Sequence, residues 1–282
     1  MKKITALDII QRKPIYKHDI SVFKNFEGKK VWITGILGSI GWELANTLLR
    51  YGANVGGIDC NEEKVAKVIS QRKMDGRVIP GMFWDYVPFT EDYIFHCAAF
   101  KHVRLGGLNI SGYYNNNAKK VEELLQRLSC STARFVLVST DKAANNSIMG
   151  QSKKSAEEYV SLHHQTSVRL VNVAYSHGSV LDLWGKSKIP KICNEKVTRY
   201  WMQAQDACYA LCLAALSPPA NYTVHNVPEF TMRQMKDAWN KEYGLKRWKE
   251  FQMHNELIKE SLIGPGERLV PQNCILARIE EC

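Results

Sequence analysis

Residues 29–41 read KKVWITGILGSIG: an apolar run, KKVWITGI (29–36), that leads directly into three glycines spaced G-x-x-G-x-x-G. The pattern predicts a strand, a tight loop and a helix running through Leu49. Gly35, Gly38 and Gly41 remove side chains where the loop meets the first helical turn. Free N–H groups and the helix dipole favour an anion there. A second apolar run, ANVGGID (53–59), ends in Asp59. An acid at that place accepts hydrogen bonds from an adenosine ribose and repels a 2′-phosphate. Taken singly, the glycines fit an ordinary turn and Asp59 a helix cap. Together, in register, they predict a dinucleotide site that takes NAD rather than NADP.

The alternation continues. Apolar strands are expected at 77–82, 93–99, 134–140 and 167–174, with helices at 62–72, 110–130 and 150–164. Near-continuous apolar strands between helices imply a parallel sheet covered on both faces, the doubly wound Rossmann-type α/β class. After about residue 175 the segments shorten, with PPANYTVHN and GPGERLVPQ as loop punctuation. The expected organisation is an N-terminal extension over 1–28 with a short helix in TALDIIQR, an NAD-binding domain over 29–175, and a smaller, mainly substrate-binding lobe over 176–282, interleaved with the end of the sheet. The last ten residues are expected to fray.

Composition narrows the partners. With 45% apolar and 23% charged residues the chain reads as globular, not disordered. No run approaches a membrane span, and MKKITALDIIQRKP builds no secretory apolar region, so the expectation is a cytoplasmic protein. Eight cysteines form no C-x-x-C pair, and several lie in apolar runs such as IFHCAAF. They read as small buried hydrophobes in a reducing compartment, without disulfides or a metal site. The net charge of +10 is spread along the chain, densest in KEYGLKRWKE (241–250). That favours a phosphate-bearing small molecule over nucleic acid, which wants a basic stripe on a known module.

RFVLVST (134–140) ends in the pair Asp141-Lys142, followed on the next helix by Met149 and Lys153. Ligands of doubly wound sheets gather outside the carboxyl ends of the strands. An isolated Asp-Lys pair would be a helix cap beside a solvated lysine.

An ordered series of motifs argues otherwise. TGILGSIGWEL, FHCAAFKHV (95–103), VSTDKAANNSIMGQSK (138–153), VNVAYSHGSV (171–180), TRYW (198–201) and PGERL (265–269) occur in one chain. The series is similar to the extended short-chain dehydrogenase/reductase superfamily and, more closely, resembles its UDP-N-acetylglucosamine 4,6-dehydratases of polysaccharide biosynthesis. ALDIIQRKPI (6–15) resembles the segment before the core in longer members. The superfamily's acid/base Tyr stands where this chain has Met149. One branch of the dehydratases carries Met there, so the resemblance implies retained chemistry and retained C5 configuration.

The reaction so implied takes a hydride from C4 onto NAD⁺, eliminates water across C5–C6 and returns the hydride to C6. It implies roles for particular residues. Asp141 would be the acid toward the C6 hydroxyl, with a raised pKa. Lys142 would be the base at C5, with a lowered one, the two titrating as a unit. Thr140 would bond the C4 oxygen, and Lys153 the nicotinamide ribose. Either Lys142 or a water would take the C4 hydroxyl proton. Gly35, Gly38, Ser39, Ile40, Gly41, Asp59, Asp85, Ala98 and Ala99 would hold the cofactor. Lys101, His102, Asn172, Ser179, Arg199 and Glu267 would hold the UDP-sugar, Arg199 at the diphosphate. The plainer alternatives are a core histidine for His102 and a surface ion pair for Arg199. Asn117, within YYNNNAKK, matches the superfamily's active-site Asn, though Asn115 and Asn116 compete for that register. A homo-oligomer is also implied.

The chain departs from the pattern in places. The stretch 81–93 is short, Tyr175 stands where Gly is usual and His177 where Arg is common. Gly264 replaces an Arg, and Val270-Pro271 a His-Glu. These fall in the substrate half. Two rivals follow: a UDP-sugar 4-epimerase, which shares C4 oxidation without elimination, and a non-catalytic dinucleotide sensor.

Overall fold

A computed structural model of the chain describes residues 4–71, 77–244, 247–250 and 257–282. Six strands follow the apolar pattern: β1 (Lys30–Thr34), β2 (Asn54–Asp59), β3 (Val78–Pro80), β4 (Tyr93–His96), β5 (Arg134–Thr140) and β6 (Thr166–Leu170). Shorter strands follow: β7 (Asn172–Val173), β8 (Lys191–Ile192), β9 (Thr198–Met202), β10 (Asn221–Val224), β11 (Glu229–Thr231), β12 (Lys249–Glu250), β13 (Glu267–Pro271) and β14 (Leu276–Glu281). Nine strands form one sheet in the order β13-β14-β10-β6-β5-β4-β1-β2-β3. From β3 to β10 all neighbours are parallel, and β14 and β13 close the edge antiparallel. Strand order reverses between β1 and β4, as in a Rossmann sheet. The crevice outside their carboxyl ends is where such sheets bind ligands.

The parallel strands read as unbroken apolar runs because both faces are covered. Ile33 and Val136 point into one buried cluster. Trp32, Phe135 and Leu137 point into the other, beneath Val121, Leu124 and Val160 of the helices Lys120–Arg127 and Ile148–Leu162.

Four expectations change in detail. The strand expected over 167–174 is two: β6 stays in the main sheet, then the chain crosses at Val171 and β7 pairs with β9, Asn172 opposite Trp201. The helix expected over 110–130 is Ile110–Tyr114, a π-turn Asn115–Lys119 and Lys120–Arg127. The widened turn buries three successive residues, Asn116, Asn117 and Ala118. The end of the chain does not fray; β14 lies between β10 and β13, with Leu276 and Ala277 fully buried. The cysteines divide: Cys208 and Cys212 are buried, whereas Cys60, Cys130, Cys274 and Cys282 are exposed.

The helix expected over 62–72 is observed as Glu62–Ser70, and Arg72 lies outside the described residues, as does part of the basic cluster 241–250. The N-terminal residues join the core. Ile9, Ile10 and Phe26 are fully buried, and the buried Asp206 carboxylate accepts from the Ile15 and Tyr16 amides and pairs with His18 at 2.8 Å. Among the described residues no helix is long and apolar enough to cross a membrane.

Candidate active site

The glycine loop forms one wall of a cleft of about 510 Å³ at the β1–β4 switch point. Gly35 has φ +66°, and a Cβ there would stand 2.9 Å from the Ala98 backbone. A Cβ on Gly41 would stand 2.4 Å from the Gly35 carbonyl oxygen. Both positions therefore require glycine. Gly38 caps the helix Ser39–Arg50 without a side chain, which leaves the first-turn N–H groups for an anion. Gly35, Gly38, Ser39, Ile40 and Gly41 all line the cleft, as do Ala98 and Ala99 opposite. Asp59 lines it too, its carboxylate accepting from Leu37 N at 2.9 Å and Asn61 N at 3.0 Å. Asp85 lies behind the wall and accepts from Met82 N at 2.8 Å, while Met82 itself faces the cleft.

β5 delivers the stretch expected to be catalytic. Thr140 ends the strand, and Asp141–Ala144 forms a 3₁₀ turn packed on the next helix. Gly150 permits that packing, because a Cβ there would fall 1.9 Å from the Lys142 carbonyl oxygen. Thr140, Lys142, Met149 and Lys153 line the cleft; Asp141 sits buried behind them. Asp141 Oδ1 accepts from Thr140 Oγ1 at 3.0 Å and from Lys142 Nζ at 3.1 Å, while Oδ2 has no partner among the described residues. Burial outweighs the lysine's attraction and lifts the Asp141 carboxyl to about 6, the direction the sequence suggested.

Lys142 departs from expectation. Burial pushes its ammonium down, but Asp141 and a second carboxylate, Glu260, more than offset this and hold it above its ordinary value. Glu260 Oε1 lies 3.1 Å from Lys142 Nζ and 3.3 Å from Arg199 Nε, and its Oε2 accepts from Asn172 Nδ2 at 3.1 Å. Nothing in the sequence marked Glu260. It lies 118 residues beyond Lys142, in an irregular segment, KESLIG, without motif or periodicity.

Lys153 is buried on the cleft wall, and its Nζ has no hydrogen-bond partner among the described residues. Desolvation brings it down to about 8. Asn116 faces the cleft, whereas Asn117 is saturated. Its Oδ1 accepts from Phe100 N at 2.8 Å, and its Nδ2 donates to Phe100 O at 2.9 Å and Ser152 Oγ at 3.0 Å.

The substrate-side residues separate into two groups. Lys101, His102, Asn172 and Ser179 line the cleft. His102 is exposed, so it is no core histidine. Ser179 also caps the helix Val180–Lys186. The loop 176–179 straps onto the glycine loop. Ser39 Oγ accepts from His177 N at 2.8 Å, and Lys101 Nζ donates to the His177 carbonyl. Tyr175 enters the strap at φ +58°, its hydroxyl donating to Ile10 O at 2.7 Å. Arg199 and Glu267 lie outside the cleft wall. Arg199 is engaged by Glu260 and by the Thr198 and Leu257 carbonyls. Glu267 joins a buried ion network on β6. Arg169 donates to Glu157 at 2.7 Å and to Glu267 at 2.5 Å, and Lys154 also pairs with Glu267.

Comparison with known proteins fits this architecture. A solved structure of Pen from Bacillus thuringiensis is similar with a TM-score of 0.78 and 20% identity, over 90% of this chain and 88% of that one. DesIV from Streptomyces venezuelae, a dTDP-glucose 4,6-dehydratase, is similar with a TM-score of 0.70 and 20% identity, over 83% and 88%. Among curated sequences, the capsular polysaccharide biosynthesis protein CapD of Staphylococcus aureus is 28% identical over 241 residues, 73% of this chain but 39% of CapD. The chain thus spans about two-fifths of that relative's length. The model of the polysaccharide biosynthesis protein family matches residues 31–272, and the chain belongs to that family.

Proposed function

We propose that the chain is an NAD-dependent nucleotide-sugar 4,6-dehydratase, converting UDP-N-acetylglucosamine to a UDP-4-keto-6-deoxy-N-acetylhexosamine with C5 configuration retained, for glycan biosynthesis. One observation carries the reading. A buried Asp141, lifted to about 6, touches a cleft-lining Lys142 at 3.1 Å, next to a cofactor-type wall that ends in Lys153 and Met149. An acid and a base side by side suit loss of water, which needs a proton removed at C5 and one supplied at C6.

The residues present fit NAD. The unpartnered Lys153 ammonium lacks the acceptors that a ribose diol provides, and Gly35 and Gly41 clear the path of a pyrophosphate. Asp59 at the end of β2 favours NAD over NADP. NAD, when bound, supplies a reversible two-electron acceptor for C4. The chain does the proton work. The Thr140 hydroxyl polarises the C4 oxygen by turning its one proton from Asp141 Oδ1 to the sugar. Asp141 and Lys142 share one proton. With it on Asp141, the free Lys142 amine takes the C5 proton while Asp141 protonates the departing C6 hydroxyl. The C5–H and C6–O bonds break, C5=C6 forms and water leaves. Lys142 then returns a proton to C5 as C6 regains the hydride that C4 gave up, and water relays the C4 hydroxyl proton to replace the one Asp141 lost. Lys101 and His102, with loop 176–179, close the sugar-nucleotide end.

Solved epimerases share this fold, so fold does not separate the rivals. An epimerase handles only the C4 proton and has no use for a second, adjacent acid. A sensor would gain nothing from a buried carboxyl oxygen without a partner, which costs stability. The test is turnover of UDP-N-acetylglucosamine in D₂O, read by NMR. Elimination places one solvent deuteron at C5 of the product. A product with every ring position still carrying protium would mean epimerisation.

A further inference from the structure

The least anticipated group in the cleft region is Glu260. The segment that carries it is pinned to β9. Thr198 N donates to Ile258 O at 2.8 Å, and Arg199 Nη1 donates to Leu257 O at 2.9 Å. From there the carboxylate reaches across to three residues of the site at once: Lys142, Asn172 and Arg199. Lys142 Nζ thereby has three acceptors, Asp141 Oδ1 at 3.1 Å, Glu260 Oε1 at 3.1 Å and Asn172 Oδ1 at 3.3 Å. An ammonium satisfies three acceptors, having three protons; a neutral amine does not. Asn172 is oriented by the same carboxylate, since its Nδ2 donates to Glu260 and to Tyr200 O at 3.1 Å, which turns its Oδ1 toward Lys142.

We infer that Glu260 is a positioning residue that keeps the proton shared by Asp141 and Lys142 on the lysine. The other charged or titratable groups around it are Arg199 and Tyr200 on β9. Arg199 pairs with Glu260, and Tyr200 is held above its ordinary value mainly by burial, then by Glu229. Neither replaces the negative charge beside Lys142. While Glu260 stays in place, the pair rests as carboxylate and ammonium, and the elimination-competent arrangement requires the proton to cross 3.1 Å to Asp141. Loss of the Glu260 charge lets the amine form at lower pH. The consequence for turnover rests on the dehydratase reading, but the ionisation of Lys142 does not.

Lys142 faces the cleft, so its amine can be titrated directly. The experiment is competitive acylation of the whole protein with acetic anhydride across pH, with Lys142 read by peptide mass spectrometry in wild type, Glu260→Gln and Glu260→Asp. Glu260→Gln keeps the shape and removes the charge. Its Lys142 midpoint is expected to fall by about one pH unit, giving about tenfold greater reactivity well below the midpoint. Glu260→Asp keeps the charge and is expected to stay near the wild-type curve. An unchanged midpoint in Glu260→Gln would overturn the inference, as would an equal fall in Glu260→Asp, which would assign the residue to packing. Because no substrate is present, a wrong sugar cannot imitate either outcome. Dehydrated product alongside an unchanged Lys142 midpoint would remove this inference and leave the dehydratase reading standing.

Discussion

Lys153 shows how a single buried cation can report a ligand. Its ammonium lines the cleft without an acceptor among the described residues and has dropped to about 8 through burial. Ribose hydroxyls would favour its charged form. NAD affinity is therefore expected to be level below about pH 8, where the amine is already protonated, and to fall as pH rises above it, by up to about tenfold per unit. Isothermal titration across pH 7 to 10 reads this. Lys153→Met should flatten the curve, and a level wild-type curve would remove Lys153 from the cofactor contacts. Asp141→Asn and Lys142→Ala are each expected to lower turnover by about 10²–10⁴-fold with NAD affinity intact; wild-type activity in both would end the acid/base assignment. Asp59→Ala is expected to narrow the preference for NAD over NADP, read from the two dissociation constants. Unchanged discrimination would leave Asp59 only its bonds to Leu37 and Asn61. At this scale the sequence was informative where residues follow one another. Thr140, Asp141 and Lys142 come as a run and are found as a cluster. Glu260 and the charge it imposes on Lys142 arise from a contact between distant segments, and no local pattern encodes that.

At the scale of elements, the periodicities placed four of the six expected strands within two residues, because most of these parallel strands carry apolar residues on both faces. They failed where one apolar run serves two sheets. Nothing in SVRLVNVA distinguishes β6 from β7, yet the crossing at Val171 is what carries Asn172 to Lys142. The π-turn is similarly silent in sequence, although YYNNNAKK announced a polar anomaly, and the turn resolves it by assigning Asn116 to the cleft and Asn117 to the frame. The C-terminal strands are held by chemistry more than by pattern. Arg169, 1% exposed, joins Glu157 on the helix Ile148–Leu162 to Glu267 at the start of β13. Arg169→Leu would strand two carboxylates and is expected to cost about 3–5 kcal/mol in chemical denaturation. Glu267 is held down to about 2, from 4.5; burial opposes this and Arg169 and Lys154 outweigh it. A folded-state carboxyl below its unfolded value stabilises above the unfolded value and loses that contribution as pH falls. The melting-temperature gap between wild type and Glu267→Gln should therefore be full above about pH 4.5 and close toward pH 2. A gap that persists undiminished at pH 2 would mean that Glu267 acts by packing.

For the whole molecule, the doubly wound sheet was legible from the alternation of apolar strands and helices over residues 29–174, and the dinucleotide site from the glycine loop and Asp59. The C-terminal half was not, because β10, β13 and β14 come from separate short segments whose only common feature is the sheet edge they complete. That edge brings the last third of the chain against β6, and the strand β9 and segment 257–264 bring Arg199 and Glu260 against the turn Asp141–Ala144. In the proposed account one molecule joins a cofactor wall, a proton-sharing pair and a carboxylate that governs it. The deciding measurement is the mass of UDP-N-acetylglucosamine after incubation with the purified protein, with and without added NAD⁺. A nucleotide sugar lighter by one water is the expected result. A sugar of unchanged mass, in the presence of protein shown to bind NAD, would contradict elimination from this substrate.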